Sequence, residues 1–270
     1  MSVISSAPIG IFDSGIGGLT VARAVKAELP GEQVVYFGDT AHLPYGDKST
    51  AAIQAYSIKI TQMLLEKGCK LILIACNSAS AAGYDLVTEY VGTRAKVLNV
   101  IDPVVDYLRE HFAHKRVGLI GTKQTVNSKV YEQKIAALNQ GIVLKSLATP
   151  LLVPIIEEGF TKGEISSKII HKYLNDPELA DLEALILGCT HYPLIKEAIS
   201  NYYTENVEVI DSSEIVAKAL KAYLSFNNLH NRGETKPDHF LVSDFTDSFE
   251  ASTRMFFGRS IHLELVQLVS

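Results

Sequence analysis

The chain has 270 residues, of which 47% are hydrophobic and 20% are charged, and its net charge is −5. This length is enough to bury a large core in two modest domains or one large domain. The lysines and arginines are scattered, which argues against the basic face that nucleic-acid binding requires, so we expect no nucleic-acid partner. No window holds about 18 consecutive apolar residues, so we expect no transmembrane helix. The start lacks a basic n-region and a long apolar stretch, so we expect a cytoplasmic protein.

The chain contains three cysteines, Cys69, Cys76 and Cys189. An odd number of cysteines in a chain of this length does not fit a disulfide framework, so we expect a reducing compartment and free thiols. No C-x-x-C pair is present, and Cys189 and His191 have no further ligands at a suitable spacing. The sequence therefore predicts no metal site.

Short apolar runs rich in Val, Ile and Leu alternate with helical segments along the chain. Parallel strands that are buried on both faces have this continuous apolar pattern. The predicted strands are Ile9–Phe12, Val34–Phe37, Leu71–Ala75, Val97–Ile101, Val117–Ile120, Ile142–Leu147, Ala184–Leu187 and Val207–Ile210. Strands that alternate with helices predict an α/β fold with largely parallel sheets.

Helices are predicted from apolar residues at a three-to-four spacing and from residues that begin or end a helix. The segment Ala51–Lys67 has this spacing, and Gly68 can end it. Pro193 is expected in the first turn of another helix, where its missing N–H costs little. A third helix is expected over Glu214–Phe226, with Ser212 or Ser213 as its N-cap. After a polar loop, the tail predicts a strand, a helix and an alternating strand at His239–Val242, Phe249–Phe257 and Ile261–Leu265.

Two pairs of segments echo each other at nearly equal offsets. Ile9–Gly15 is similar to Val117–Lys123, and the offset between Gly10 and Gly118 is 108 positions. Leu71–Asn77 is similar to Leu185–Thr190, with an offset of 113 positions between the two cysteines. The echo predicts two similar halves, each with a cysteine at the end of a buried strand.

Small polar or reactive residues follow four of the predicted strands. In open α/β sheets, ligands bind beyond the carboxyl ends of the strands. The four segments are Asp13-Ser14-Gly15, Gly38-Asp39-Thr40, Cys76-Asn77-Ser78 and Cys189-Thr190-His191. They predict a ligand site at this edge.

Cys76 and Cys189 each precede a predicted helix start, which favours the thiolate form. Asp13 is a candidate neighbour of one thiol and His191 of the other. A single cysteine after an apolar strand is equally well explained as a small core residue. Two cysteines in matching positions, each followed by polar residues, favour a chemical function. Cys69 follows a glycine at a helix end without polar neighbours, so we interpret it as structural.

The other candidate residues have alternative structural explanations. Asp13 could cap a helix, and His191 could be an ordinary hydrogen-bonded histidine. Glu157 and Glu158 could form a solvated helix end, and the pattern does not choose between them. The glycines after Asp13 match neither the dinucleotide-binding nor the Walker pattern, so a nucleotide site is unsupported. Pro44-Tyr45-Gly46 predicts a tight turn in a loop of the kind that covers binding sites.

The chain resembles the bacterial glutamate racemases of the aspartate/glutamate racemase superfamily. The matching motifs run almost from end to end and are IGIFDSGIGGLTV, YFGDTAHLPYGDKS, LILIACNSASA, VIDPVV, VGLIGTKQTVNS, LVPIIEEG, LILGCTHYPLI and VIDSSE. One departure is Ser78, which stands where many relatives have threonine and keeps the hydroxyl group.

The resemblance implies two similar α/β domains related by a pseudo-two-fold axis, with the active site in the cleft between them. Residues 1–98 and 208–270 would form the first domain, and residues 99–207 the second. The enzyme would interconvert L- and D-glutamate without pyridoxal phosphate, metal or nucleotide. D-Glutamate would supply peptidoglycan synthesis in the cytoplasm, and a homodimer is expected.

The resemblance also implies roles for individual residues. Cys76 and Cys189 would be the two catalytic acid/base groups. Asp13 would assist Cys76, while Glu157 and His191 would assist Cys189. The residues expected to hold the substrate are Asp13, Ser14, Pro44, Tyr45, Gly46, Asn77, Ser78, Thr122, Thr190 and His191.

Three other functions remain open from the sequence. A racemase of aspartate or another amino acid would share the reacting centre and differ in pocket length. A binding or regulatory protein could use the same fold without catalysis. A cysteine hydrolase would pair one cysteine with a histidine and would leave the second cysteine unexplained.

Overall fold

The structure is a computed structural model that describes residues 4–203 and 206–268. Its strands form two sheets in which each observed pairing is parallel. The strands are β1 Ile9–Asp13, β2 Val34–Gly38, β3 Leu71–Ile74, β4 Lys96–Asn99, β5 Arg116–Gly121, β6 Val143–Ala148, β7 Ala184–Gly188, β8 Glu208–Asp211, β9 His239–Val242 and β10 Glu264–Leu265. In these segments no helix has the length and apolar character needed to span a bilayer.

Helices connect successive strands and cover the sheets. They are α1 Leu19–Glu28, α2 Thr50–Glu66, α3 Asn77–Val91, α4 Asp102–His111, α5 Lys123–Asn127, α6 Val130–Ala137, α7 Leu152–Glu157, α8 Glu164–Leu174, α9 Lys196–Tyr203, α10 Ser212–Phe226 and α11 Asp247–Phe257. Short 3-10 turns lie at Thr40–His42, Tyr45–Asp47, Pro177–Leu179 and Tyr192–Ile195. The α/β fold class predicted from the alternating pattern is confirmed.

The apolar runs predict the position of each strand from β1 to β8 correctly, but not always its burial. β4 and β6 are only partly buried along most of their length. Both are edge strands with one neighbour each, so one edge of each strand has no neighbouring strand to cover it. The expectation that every strand would be buried on both faces is therefore wrong for these two.

Local residues explain where several helices begin and end. Gly68 follows α2 with a φ of +75°, a left-handed conformation that glycine adopts without strain. Pro193 lies in a 3-10 turn, and α9 begins only at Lys196. The N-cap of α10 is Asp211 and not a serine, because its Oδ1 accepts hydrogen bonds from the backbone N–H and the hydroxyl of Ser213, at 2.9 and 2.6 Å.

The two sheets share a common topology. The order β2-β1-β3-β4 in the first sheet corresponds to β6-β5-β7-β8 in the second. Gly10 pairs with Ile72 in the first sheet, and Gly118 pairs with Leu185 in the second. These pairs have the offsets of the internal echo, 108 and 113 positions. The echo therefore reflects equivalent strands, and Cys76 and Cys189 follow the equivalent strands β3 and β7.

The strand pairings do not coincide with the predicted domain boundaries. β4 ends at Asn99 and belongs to the first sheet, so a boundary at 98/99 cuts this strand. β8, Glu208–Asp211, pairs with β7 and belongs to the second sheet, although residues 208–270 were assigned to the first domain. The tail then adds β9 and β10 to the edge of the first sheet. The predicted strand over Ile261–Leu265 is shorter than expected, because only its last two residues pair.

An apolar core joins the two sheets. One cluster of buried side chains includes Leu71 and Leu73 from the first sheet and Leu185 and Leu187 from the second. Burial of apolar surface is the main favourable term in folding. The carboxyl ends of the two sets of strands are therefore held together by a continuous core.

A buried ion pair lies at the amino ends of β1 and β3, away from the strand ends that carry the cysteines. Lys70 donates to Glu32 Oε2 at 2.6 Å, and the two side chains are 0% and 3% exposed. Lys70 also donates to the carbonyl oxygens of Ser5 and Leu229, and Glu32 Oε1 accepts from the backbone N–H of Asn231 at 2.7 Å. This ion pair joins the amino-terminal segment, β3 and the loop after α10.

Replacing Lys70 by methionine should lower the free energy of unfolding by about 3–5 kcal/mol, because Glu32 would remain buried without its partner. Urea denaturation monitored by circular dichroism measures this change. The matched control is Lys168→Met, which breaks the exposed pair with Glu164 and should change the free energy of unfolding by about 0.5 kcal/mol or less. Equal effects of the two substitutions would contradict this role for Lys70.

Candidate active site

A cavity of about 150 Å³ lies where the carboxyl ends of the two sheets meet. Apolar cavities of about this volume hold a benzene-sized molecule. The structure brings most of the predicted site residues to its wall. They are Ser14, Pro44, Tyr45, Gly46, Cys76, Asn77, Ser78, Thr122, Glu157, Cys189, Thr190 and His191.

Cys76 occupies the N-cap position of α3. Its Sγ accepts a hydrogen bond from the backbone N–H of Ala79 at 3.4 Å and lies 3.7 Å from Ser14 Oγ. A helix N-terminus favours negative charge on a thiol. Burial and, to a lesser degree, the charge of Asp13 act in the opposite direction and raise the pKa of Cys76 to about 12. Without a ligand, Cys76 is therefore a protonated thiol at neutral pH.

Cys189 lies at one end of a chain of three polar side chains. Its Sγ is 3.7 Å from His191 Nδ1, and His191 Nε2 is 2.9 Å from Glu157 Oε1. Burial alone would lower the pKa of His191, but hydrogen bonds with Cys189 and Glu157 outweigh it and raise the pKa to about 10. His191 is therefore an imidazolium at neutral pH, and it places a positive charge beside Cys189.

The structure distinguishes the two adjacent glutamates. Glu157 contacts His191 and lines the cavity, whereas Glu158 is not among the cavity-lining residues. Within residues 4–203 and 206–268, no group of three or more His, Cys, Asp or Glu side chains could hold a metal ion.

Asp13 lies behind the cavity wall and is fully buried. Its Oδ2 accepts from the backbone N–H groups of Gly15 and Gly18 at 3.1 and 3.0 Å, and Thr190 Oγ1 donates to Oδ1 at 3.4 Å. Burial raises the pKa of Asp13, although the charge of His191 and these N–H groups act to lower it. Asp13 is not among the cavity-lining residues, whereas the family resemblance implied that it would hold the substrate.

Contacts between α1 and the segment after β7 fix the position of His191. The Thr20 hydroxyl donates to the carbonyl oxygen of Thr190 at 2.8 Å. A Cβ atom at Gly17 would lie 2.3 Å from His191 Cε1, a distance that no side chain tolerates. Glycine at position 17 therefore allows the start of α1 to lie directly against the imidazole ring.

A second set of contacts joins α3 to the start of α5. Ser78 Oγ lies 2.8 Å from Thr122 Oγ1, and Thr122 caps α5 by accepting from the backbone N–H of Thr125 at 3.1 Å. A Cβ atom at Gly46 would lie 2.8 Å from Thr122 Cβ, so the loop that carries Gly46 also packs against α5. These hydroxyl groups line the cavity between the two sheets.

Asp39 belongs to a segment that the sequence predicted at the ligand site, but it is not among the cavity-lining residues. It instead supports the loop that carries Pro44, Tyr45 and Gly46 over the cavity. Asp39 accepts hydrogen bonds from the Tyr45 hydroxyl at 2.6 Å and from Ser243 Oγ at 2.7 Å, and lies 2.8 Å from His42 Nδ1. Burial and the adjacent Asp39 charge raise the pKa of Tyr45, so its hydroxyl stays protonated and donates. Ser243 follows β9, so the tail supports this loop.

The sequence also did not single out Thr149 and Tyr192, which line the cavity. Thr149 Oγ1 lies 2.7 Å from the Tyr192 hydroxyl. Thr149 follows β6, so the strand-end rule applied to the other segments would have found it. Lys123 lies at the cavity mouth, where its Nζ is 3.1 Å from Asp47 Oδ1.

Comparison with known proteins connects this site to an enzyme family. The sequence model of the Asp/Glu/hydantoin racemase family matches residues 19–220. The glutamate racemase of Chlorobium phaeobacteroides is 40% identical, over 97% of this chain and 96% of that protein.

Solved structures agree with this match. The glutamate racemase of Francisella tularensis in complex with D-glutamate has a TM-score of 0.91 and 38% identity, and the match covers 98% of this chain and 99% of that chain. The Thermus thermophilus glutamate racemase in complex with β-chloro-D-alanine has a TM-score of 0.88 and 37% identity, over 98% of both chains. The match extends over nearly the whole chain in sequence and in fold, and this protein therefore belongs to the Asp/Glu/hydantoin racemase family.

Proposed function

We propose that this protein interconverts L- and D-glutamate by transferring the α-proton between Cys76 and Cys189, without a cofactor. The observation that carries this proposal is that both thiols line one cavity, at the ends of the equivalent strands β3 and β7. Relatives named glutamate racemase, one of them solved with D-glutamate, support glutamate as the substrate.

Racemisation requires two acid/base groups because a proton leaves one face of the α-carbon and another arrives on the opposite face. A single side chain cannot easily reach both faces. Each group must act as a base in one direction and as an acid in the other. Two thiols that come from different sheets and share a cavity meet this requirement.

We infer that the reaction starts with one thiolate and one thiol, and we assign them from the charged groups beside each cysteine. The Cys189 thiolate, beside the His191 imidazolium, would take the α-proton and become a thiol. The electron pair left on the α-carbon would then take the proton of the Cys76 thiol on the opposite face, leaving a Cys76 thiolate. The reverse transfer, with the other enantiomer as substrate, would restore the starting state.

The carbanion between the two transfers needs electrostatic stabilisation because no cofactor takes up its electrons. Donors around the substrate carboxylate would stabilise the developing charge. The side chains and backbone N–H groups of Asn77, Ser78 and Thr190 are available for this purpose, as is the N-terminus of α3. Exclusion of water from the cavity by the bound substrate would strengthen such contacts.

Asp13 would assist Cys76 without touching the substrate. Its carboxylate shapes the turn that carries Ser14, which lies beside the Cys76 thiol. Its charge contributes to the raised pKa of Cys76 and so favours the thiol that returns the proton. Glu157 would assist Cys189 by maintaining the charge on His191.

Other residues of the cavity would also contact the substrate, and the product would have a role in cell-wall synthesis. Ser14, Thr122 and the backbone of Tyr45 and Gly46 would complete the binding of the substrate's charged groups. The product D-glutamate would supply peptidoglycan synthesis in the cytoplasm, and the enzyme would act as a homodimer.

The wild-type protein in deuterated water should convert L-glutamate to a mixture of both enantiomers with deuterium at the α-carbon. L-Aspartate should exchange much more slowly, because its side chain is one methylene shorter than that of glutamate. Circular dichroism follows the loss of optical activity, and proton NMR follows the α-proton signal. Faster exchange of aspartate would favour an aspartate racemase, and no exchange with any amino acid would favour a binding protein.

Cys76→Ala and Cys189→Ala should each reduce racemisation by several orders of magnitude, because either substitution removes one of the two acid/base groups. Calorimetric titration with D-glutamate should still detect binding by both variants. Cys69→Ala is the matched control, since Cys69 packs against Gly10 and Leu64 in the core and should not affect the rate per folded molecule. A near wild-type rate in either of the first two variants would exclude the two-thiol mechanism.

His191 should retain its proton up to about pH 10, well above the ordinary imidazole value of about 6.5. NMR of protein labelled at the histidine ring carbons measures this titration. Glu157→Gln should lower the pKa of His191 by about one unit or more, because it removes an adjacent negative charge. Glu158→Gln is the matched control and should leave the titration unchanged.

The raised pKa also predicts how stability depends on pH. The unfolded imidazole loses its proton near pH 6.5, whereas the folded one retains it to about pH 10. The stabilisation from this proton is therefore complete below pH 6.5 and is lost as the pH rises to about 10. A wild-type His191 that titrates near pH 6.5 would contradict the prediction that His191 is charged at neutral pH.

A further inference from the structure

Asn77 presents a buried hydrogen-bond donor to the cavity. It is the first residue of α3, it is 3% exposed, and it lines the cavity beside Cys76. Its Oδ1 accepts a hydrogen bond from the Tyr131 hydroxyl at 2.9 Å. Its Nδ2 is buried and has no hydrogen-bond partner in the described part of the chain. A buried donor without a partner costs free energy, so a ligand that supplies an acceptor would relieve this cost.

Tyr131 determines which end of the Asn77 side-chain amide faces the cavity. It lies in α6 and is fully buried among residues around the second sheet, including Leu119 and Ile186. Burial raises the pKa of Tyr131, so the hydroxyl keeps its proton and needs an acceptor. Asn77 Oδ1 is the one acceptor observed for it within residues 4–203 and 206–268.

Rotating the amide by 180° would leave the Tyr131 hydroxyl without an acceptor. Nδ2 would then donate to the tyrosine oxygen, and the hydroxyl proton would be buried and unsatisfied. Because the oxygen and nitrogen of an amide are assigned from their hydrogen-bond partners, the phenol fixes the amide with Oδ1 toward α6 and Nδ2 toward the cavity.

We propose that Tyr131 is a positioning residue for catalysis, which holds the Asn77 amide so that Nδ2 donates to the α-carboxylate of the substrate. This inference rests on the proposed glutamate racemase function. The substrate ammonium group has no acceptor, so the partner of Nδ2 is a carboxylate oxygen. Asn77 lies beside Cys76, one of the two thiols proposed to exchange the α-proton, so this oxygen belongs to the α-carboxylate. Negative charge grows on this carboxylate as the α-proton leaves, and a fixed donor stabilises it.

The hydrogen bond also connects parts of the chain that belong to different sheets. α3 follows β3 of the first sheet, and α6 lies between β5 and β6 of the second. The orientation of Asn77 therefore depends on the position of the second sheet relative to the first. A movement that separated the two would release the amide, and the site would lose an ordered donor.

Tyr131→Phe removes the hydroxyl and keeps the ring that fills the core. We expect kcat/KM for L-glutamate to fall about tenfold, the effect of one hydrogen bond to a charged group. The matched control is Tyr107→Phe, which removes a tyrosine hydroxyl that donates to Glu208 at the protein surface and should leave kcat/KM unchanged. Thermal unfolding by circular dichroism shows whether each variant is folded.

A double-mutant cycle with Asn77→Ala separates positioning from a general structural role. If Tyr131 acts through the Asn77 amide, adding Tyr131→Phe to Asn77→Ala should cause no further loss of kcat/KM. Additive losses would overturn the inference, as would an unchanged kcat/KM in Tyr131→Phe alone.

A second variant tests the donor itself, so that the proposal does not depend on the folding of Tyr131→Phe. Asn77→Asp keeps an acceptor for Tyr131 but replaces Nδ2 by an oxygen, and should lower kcat/KM at least tenfold. A wild-type kcat/KM in this variant would overturn the inference while the proposed function stands. Failure of the wild-type protein to racemise glutamate would overturn both.

Discussion

The structure depends on one constraint: the carboxyl ends of two separate parallel sheets must meet closely enough to enclose a single small cavity. An apolar core that includes Leu73 and Leu187 holds the sheets together. Hydrogen bonds complete the contact close to the chemistry, from Thr20 to the Thr190 carbonyl and between Ser78 and Thr122. Hydrogen bonds have a preferred geometry, and so they fix how the carboxyl ends of the two sheets face each other.

The two halves share a topology but surround their cysteines differently. Cys76 caps a long helix and lies beside a hydroxyl and a buried carboxylate that disfavours the thiolate. Cys189 has a charged imidazole supported by a glutamate. In the proposed mechanism this asymmetry gives the two thiols different roles, whereas two identical surroundings would provide no such bias. The equivalence lies in the strands, and the difference lies in the residues that follow them.

Much of the fold was predictable because apolar runs and strand ends are local signals. The runs located β1 to β8, and the polar residues after β1, β3 and β7 indicated the ligand site. Edge exposure of β6 and the capping of α10 by Asp211 were not predicted, because each depends on neighbours that the local pattern does not specify. The family resemblance assigned Glu157 a role, whereas the pattern alone did not distinguish it from Glu158. No sequence pattern pointed to Tyr131, because its hydrogen-bond partner Asn77 is 54 positions away.

Asp39 connects the loop over the cavity to the carboxyl-terminal part of the chain. One carboxylate joins Tyr45, in the loop over the cavity, to Ser243, which is 204 positions from Asp39. Thr40 also exchanges hydrogen bonds with the backbone of Asp244. The segment after β9 thus supports the loop over the cavity. A truncation that removes Ser243 and Asp244 would loosen the loop over the cavity, even though every proposed catalytic group would still be present.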